Sequence, residues 1–206
     1  TSFASTRYDN VTIGHRSGQH IDTGKKNVSI GSYALGDLDA GGDAQDADGN
    51  TAIGFKAMGG AWANAKSENN VAIGNNVMAG VLSGGSQNVV LGSGAMPAST
   101  SASNNVVIGA NSGQSMTNNG YNVVIGSASF QAATNDENRN VVIGYNAGAG
   151  IVATASDSNV IIGMEAGTGG GAALKNCIVI GDSAMNSTGT DAQDGTIAIG
   201  HHALTA

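Results

Sequence analysis

Acidic side chains are concentrated in one glycine-rich segment, DLDAGGDAQDADGN, at positions 37–50. The spacing Asp46-x-Asp48-Gly resembles part of a calcium loop, because hard carboxylate oxygens are the ligands that Ca²⁺ prefers. The glutamate that closes a full calcium loop is missing. We therefore expect a solvated acidic loop, with calcium held by Asp43, Asp46 and Asp48 as the alternative. The carboxylates of this segment are Asp37, Asp39, Asp43, Asp46 and Asp48.

Aromatic side chains are few, and the only tryptophan, Trp62, stands in the variable segment GGAWANAKSEN. An exposed aromatic ring can stack on the apolar face of a sugar, as it packs on other apolar groups. We predict Trp62 as a receptor contact, with packing against its own chain as the alternative. Tyr33, Tyr121 and Tyr145 are weaker candidates for the same role.

Residues for catalysis are sparse outside the acidic segment. Glu68, Glu137 and Glu165 stand far apart in the chain, and no nucleophile motif, phosphate loop or histidine-based triad is present. If the adjacent His201 and His202 lie in a strand, they point to opposite faces and cannot share a metal ion. We predict a protein that is not an enzyme and holds no cofactor beyond the calcium alternative.

One short word, an aliphatic residue followed by glycine, recurs eleven times and organises the whole chain. Asparagine stands three residues before the aliphatic residue in nine copies, and a small residue usually stands four residues after it. The residue five after it is either glycine or a larger apolar residue, and four of the six methionines occupy this position, which indicates core filling. The aliphatic residues, 17 to 23 positions apart, are Ile13, Ile30, Ile53, Ile73, Leu91, Ile108, Ile125, Ile143, Ile162, Ile180 and Ile199.

These β-branched runs before glycine predict short strands. A period near 18 is too short for a propeller blade or a helical hairpin and suits one coil of a solenoid. We predict an all-β fold, a parallel β-roll of about eleven coils over residues 10–204, after a linker at residues 1–9. Each coil would contain the strand, a turn at the glycine, a second short strand and a polar return loop. The glycine fits a tight bend that needs a positive φ or close backbone approach. The stacked asparagines would form a ladder along the edge, each amide bonding its neighbours or capping the local turn.

Side chains alternate along a strand, so the aliphatic residue and the residue two before it share one face. We assign that face to the interior of the coil and the residue between them to the exterior. Six successive copies then place a β-branched side chain outside, which predicts an apolar stripe and a homo-oligomer that covers it. The predicted subunit interface consists of Val90, Val107, Val124, Val142, Ile161 and Val179.

The words NNVAIG, NVVIGYNAG and GTIAIGHHA resemble the head repeats of trimeric autotransporter adhesins, and more closely the repeats of bacteriophage distal tail-fibre proteins. The resemblance spans about residues 10–204. It implies a parallel β-roll that trimerises along its axis and binds host surfaces. Coils of 17 to 23 residues, without a following neck or coiled-coil heptads, favour the phage version.

Composition excludes several partners. A net charge of −7 disfavours nucleic acid and anionic lipid, and no run of 18 apolar residues suggests a membrane span. The single cysteine, Cys177, cannot form an intrachain disulfide, and we expect a buried thiol.

We therefore expect a trimeric tail-fibre region, located in the virion, that attaches to a glycan or protein of the host cell surface. The alternatives are the head of a bacterial adhesin on the outer cell surface and a glycan-degrading tailspike. The tailspike would need two carboxylates within about 10 Å of each other.

Overall fold

The computed structural model describes residues 9–19, 21, 24–36, 47–61, 66–134, 136–151, 156–169, 173–187 and 191–205. These residues form thirteen short strands and no helix. The strands are β1 (Val11–Ile13), β2 (Val28–Ile30), β3 (Thr51–Ile53), β4 (Val71–Ile73), β5 (Val89–Leu91), β6 (Val106–Ile108), β7 (Val123–Ile125), β8 (Val141–Ile143), β9 (Val160–Ile162), β10 (Leu174–Lys175), β11 (Ile178–Ile180), β12 (Gln193–Asp194) and β13 (Ile197–Ile199).

Eleven of these strands form one parallel sheet in sequence order, while β10 and β12 pair separately. Equivalent residues of successive repeats stand side by side, so that Val123 pairs with Val141 and Ile125 with Ile143. Each coil thus returns the chain to the start of the next strand, which is the arrangement of a parallel β-solenoid. The all-β, parallel solenoid prediction is confirmed. Eleven strands at the usual spacing give a rod roughly 50 Å long.

The assignment of the two strand faces was reversed. From β2 onward, the middle residue of each strand in the large sheet points into the interior of its own chain, and the two flanking residues point outward. The prediction that six middle residues meet sister subunits is therefore wrong. All six are 0% exposed in a single chain: Val90, Val107, Val124, Val142, Ile161 and Val179.

The asparagine of the repeat explains this orientation. It stands two residues before the middle residue, so the two share a face. A stacked asparagine needs a partner for each amide donor and acceptor, and the interior backbone supplies those partners. Asn122, for example, donates from its Nδ2 to the Oδ1 of Asn105 at 3.1 Å and to the carbonyl of Glu137 at 2.9 Å. Its own Oδ1 accepts the backbone and side-chain N–H groups of Asn140.

This asparagine ladder runs unbroken through most of the rod. Each Oδ1 accepts the backbone N–H of the ladder residue in the next coil, at 2.8 to 3.1 Å. The last acceptor, on Asn159, receives the N–H of Cys177, whose buried Sγ contacts the carbonyl of Lys175. The predicted ladder and the buried thiol are both confirmed. The asparagines of the ladder are Asn10, Asn27, Asn50, Asn70, Asn88, Asn105, Asn122, Asn140 and Asn159.

Turns, and not a second strand, follow the glycine of each repeat. The residues three and five positions after the aliphatic residue have φ between +45° and +64°, as Asn146 and Met185 illustrate with φ of 57° and 50°. Backbone hydrogen bonds still join the coils here, since Asn146 donates to Ser127 and Gly148 to Ala166. The predicted second strand is therefore replaced by a stacked left-handed turn.

The repeat glycine lies where the backbones of neighbouring coils touch. Gly126 has φ +139°, and a Cβ built on it would overlap the carbonyl oxygen of Gly144 in the next coil. The same approach recurs along the stack until Gly200, whose φ is +127° but whose added Cβ would meet only the Ala203 Cβ, at an ordinary contact distance of 4.0 Å. The sequence predicted a positive φ or close backbone approach at this glycine, and the structure shows both.

Methionine fills the interior where the turn offers a large side chain. The four methionines at the fifth position after the aliphatic residue are 0% exposed, which confirms the core-filling interpretation: Met58, Met78, Met96 and Met185.

Candidate functional site

Rings and cations are grouped on the exposed turns that follow β1, β2 and β3. The group comprises His15, Arg16, Tyr33, Phe55 and Lys56, and we call it the aromatic edge. The turn residues stand two and three positions after the aliphatic residue of each strand. Because the coils stack in register, these positions superimpose along the rod, and side chains from three distant sequence segments meet.

Ring contacts connect the aromatic edge from coil to coil. The ring centroids of His15 and Tyr33 are 5.4 Å apart, and those of Tyr33 and Phe55 are 6.3 Å apart, both edge to face. The Arg16 guanidinium carbon lies 5.6 Å from the Tyr33 centroid, and Lys56 Nζ lies 5.4 Å from that of Phe55. Such cation–π pairs contribute about 0.5–1 kcal/mol each at exposed sites.

The predicted tyrosine contacts are not brought together. Tyr33 belongs to the aromatic edge, and Tyr145 occupies the same side of the rod six strands further on, with 57% of its surface exposed. Tyr121, 67% exposed, stands two residues before β7, whereas Tyr33 and Tyr145 follow their strands. Tyr121 therefore lies at the opposite end of the strands. These three residues therefore cannot form one sugar platform within a chain.

The predicted tryptophan contact and most of the predicted calcium site lie outside the described residues. The residues concerned are Trp62, Asp37, Asp39, Asp43 and Asp46. Asp48 is described, and its Oδ1 accepts the backbone N–H of Lys25 at 2.7 Å. Within the described ranges, no group of three histidine, cysteine or carboxylate residues could hold a metal ion.

Glu137 is a carboxyl whose burial the sequence analysis did not predict. Its Oε2 accepts from Asn119 Nδ2 at 2.6 Å, and its Oε1 is buried without a hydrogen-bond partner. Burial raises the pKa of this carboxyl to about 7, opposed by the hydrogen bond from Asn119 and reinforced by Asp136 and Asp157. A raised pKa suits a general acid, but a fully buried side chain cannot reach a polymer substrate.

His201 and His202 lie in a turn after β13, not in a strand as our argument about opposite faces assumed. Their ring centroids are 4.0 Å apart, and His201 Nε2 is 3.5 Å from an Asp182 carboxylate oxygen. This pair lies at the far end of the described stack from the aromatic edge.

An extended surface lies on the outward side of the sheet, and we call it the outer face. It consists of two columns of valine, isoleucine or leucine side chains, interrupted only by Thr51, and several members are exposed large hydrophobics. At the usual strand dimensions it measures roughly 50 Å by 10 Å. The columns are Val11, Val28, Thr51, Val71, Val89, Val106, Val123, Val141, Val160, Ile178 and Ile197, and Ile13, Ile30, Ile53, Ile73, Leu91, Ile108, Ile125, Ile143, Ile162, Ile180 and Ile199.

No described helix is long and apolar enough to span a membrane. Comparisons with known proteins found no matching family model, curated protein or solved structure.

Sequence reasoning missed most of the aromatic edge. Arg16 stands 39 and 40 positions before Phe55 and Lys56, and no motif links them. The available signal was their common offset from the repeat word, since Phe55 and His15 both follow the aliphatic residue by two positions and Arg16 and Lys56 by three.

Proposed function

We propose that this chain is a rod-forming unit of an attachment fibre that assembles as a parallel homotrimer and binds a cell surface without catalysing a reaction. The outer face carries the proposal. An apolar patch on the order of 500 Å² lies within the range of the largest patch on typical monomers, where such patches often mark interaction sites. Here the patch is continuous along the whole sheet.

A second copy of the chain is the occupant that fits the outer face best. A parallel copy presents the same two columns at the same strand spacing, so the ridges of one can follow those of the other over the full length. A partner with a globular surface could match only part of it. Three copies, as the repeat words imply through their resemblance to fibre proteins, would let each outer face contact two others around one axis.

The attachment role follows from the shape of such an assembly. A rigid rod with three copies of every turn and loop converts weak single contacts into avidity. The wide use of Asn, Ser, Thr and Gly on the turns suits a surface that contacts a hydrated ligand. A phage tail fibre is the setting we favour, and it places the protein in the virion.

Attachment can be tested with paired lysine substitutions in adjacent coils. Ile108→Lys with Ile125→Lys places two charges on the outer face. The control, Gln114→Lys with Gln131→Lys, places two charges on turns, where Gln131 Nε2 donates a hydrogen bond to Gln114 Oε1 at 2.8 Å in the wild type. We expect only the outer-face pair to dissociate the assembly and to lower adsorption of labelled protein to a panel of bacterial cells at least tenfold. Circular dichroism would confirm that both variants keep their strands.

Adsorption that is equal for the wild type, the outer-face pair and the control pair would contradict multivalent attachment. Adsorption to none of the cells tested would also count against the proposed function.

A further inference from the structure

The backbone turn does not require the side chains of the aromatic edge. In other coils the same turn positions hold Asn75 and Asn76, Ser93 and Gly94, or Ala110 and Asn111, and the backbone turn is unchanged. Small polar residues therefore satisfy the fold at these positions. Rings and cations in three successive coils exceed what the turn requires.

Charge distinguishes the aromatic edge from the rest of that side, and several of its side chains are open to solvent. His15 and Arg16 are exposed, and Phe55 is 43% exposed. Among the described residues no carboxylate pairs with Arg16 or Lys56. Further along the same side the charge reverses, with Glu165 and Asp182 at the equivalent positions.

We propose that the aromatic edge binds an acidic polysaccharide, one whose sugars carry carboxylate or phosphate groups. This inference rests on the proposed attachment function and supplies its ligand class. The exposed ring of Phe55 and the ring of Tyr33 offer apolar contact for the C–H faces of sugars. The guanidinium and ammonium groups donate charge-assisted hydrogen bonds to the acidic groups, and the Arg16 fork can engage a carboxylate or phosphate with two bonds.

The form of the site favours a polymer over a small molecule. Small-molecule sites are concave and enclose most of their ligand. The aromatic edge is an open row that extends over two coil spacings, on the order of 10 Å along the rod. A linear chain of sugars can follow this row, and the homotrimer would offer three copies of it. The net charge of −7 repels acidic ligands elsewhere, so binding would be confined to this end and sensitive to salt.

The site can be tested by substituting each residue with the one that stands at the equivalent position in another coil, which avoids straining the turn. Tyr33 has φ 57°, and Asn146 has φ 57° at the equivalent position, so Tyr33→Asn preserves the backbone. Phe55→Ser copies Ser93, and Lys56→Asn copies Asn76. The matched control is Tyr145→Ser, which removes an exposed ring on the same side but without a neighbouring cation among the described residues.

The assembled wild-type protein would be titrated by calorimetry with alginate, a phosphomannan, dextran and polyglutamate. We expect binding to alginate or phosphomannan, at least tenfold weaker binding to dextran and polyglutamate, and a tenfold loss for Tyr33→Asn and for Phe55→Ser. Lys56→Asn should weaken binding and reduce its salt dependence, while Tyr145→Ser should bind as the wild type.

Binding to neither acidic polysaccharide would overturn this inference, as would equal binding of dextran or polyglutamate. Full binding by Tyr33→Asn and Phe55→Ser would do the same. These failures differ from a failure of the proposed function, because labelled trimers would still adsorb to cells through another surface. Conversely, a monomeric protein that bound alginate through the aromatic edge would contradict the assembly and leave the site standing.

Discussion

At the scale of single residues, Glu137 is an ionisable side chain that the fold buries completely. It lies in a column of the return path that is otherwise occupied by small or uncharged buried side chains, among them Ala102, Asn119 and Ser156. A carboxylate here has one partner and one unpartnered oxygen, so the protonated form is preferred.

The pKa of Glu137 makes stability fall as pH rises. The folded pKa is about 7 and the ordinary value is 4.5, so between these values the folded protein retains a proton that the unfolded chain has lost. The free energy of unfolding therefore decreases from pH 4.5 to 7, on the order of 1–3 kcal/mol, and then levels off. Glu137→Gln should remove most of this slope in urea unfolding measured at intervals from pH 4.5 to 8. Glu68→Gln, on a partly exposed surface, should keep the slope, and an unchanged slope in the Glu137 variant would refute this interpretation.

Gly126 and Gly200 distinguish two reasons why the repeat uses glycine: its left-handed φ and its close contact with the next coil. Both have a left-handed φ, but only Gly126 touches the next coil. Gly200→Ala should lower the free energy of unfolding by about 1 kcal/mol through backbone strain, and Gly126→Ala by about 3 kcal/mol or more through strain and overlap together. Thermal unfolding of the two variants would show the difference. Equal losses would mean that close approach contributes nothing.

At the scale of the repeated element, the interior of each coil accepts one large side chain from either of two places. Three of the four coils with glycine at the fifth position place a buried apolar residue three positions later. Several coils with a large residue at the fifth position have a small or polar residue there instead. The pairs are Gly18 with Ile21, Gly113 with Met116, and Gly148 with Ile151, compared with Met58 and Ala61, Met96 and Ser99, and Phe130 and Ala133.

This exchange can be tested in the coil that contains Gly148. A Cβ on Gly148 would lie 3.3 Å from the Cδ1 of Ile151, so side chains at the two positions would fill the same part of the interior. Ile151→Ala should cost about 2–4 kcal/mol through the cavity it leaves. Adding Gly148→Met should recover at least half of that loss, whereas Gly148→Met alone should destabilise. Urea unfolding of the three variants measures the coupling, and additive losses would disprove the exchange.

At the scale of the whole molecule, the repeat spacing was enough to predict the solenoid, the asparagine ladder and the methionine core. The faces were reversed because Val-Val-Ile is apolar at all three positions, so burial could not be deduced from hydrophobicity. The asparagine at position 140 held the missing information, since its amide must be satisfied inside and it shares a face with Val142. The aromatic edge could not be predicted, because its residues meet only after the coils are stacked in register.

The reversed faces strengthen the case for assembly. The middle residues Val90 to Val179 are covered within the chain, and the side exposed to solvent carries two apolar columns where one stripe had been predicted. More apolar surface therefore faces outward than the sequence suggested, and the proposed homotrimer would cover it.

Sedimentation equilibrium of the wild-type protein tests the central claim most directly, because it gives the mass without assumptions about shape. A homotrimer joined through the outer face predicts three times the chain mass of 20.2 kDa at micromolar concentration. A single species of 20.2 kDa that stays soluble and monodisperse as concentration rises would contradict it.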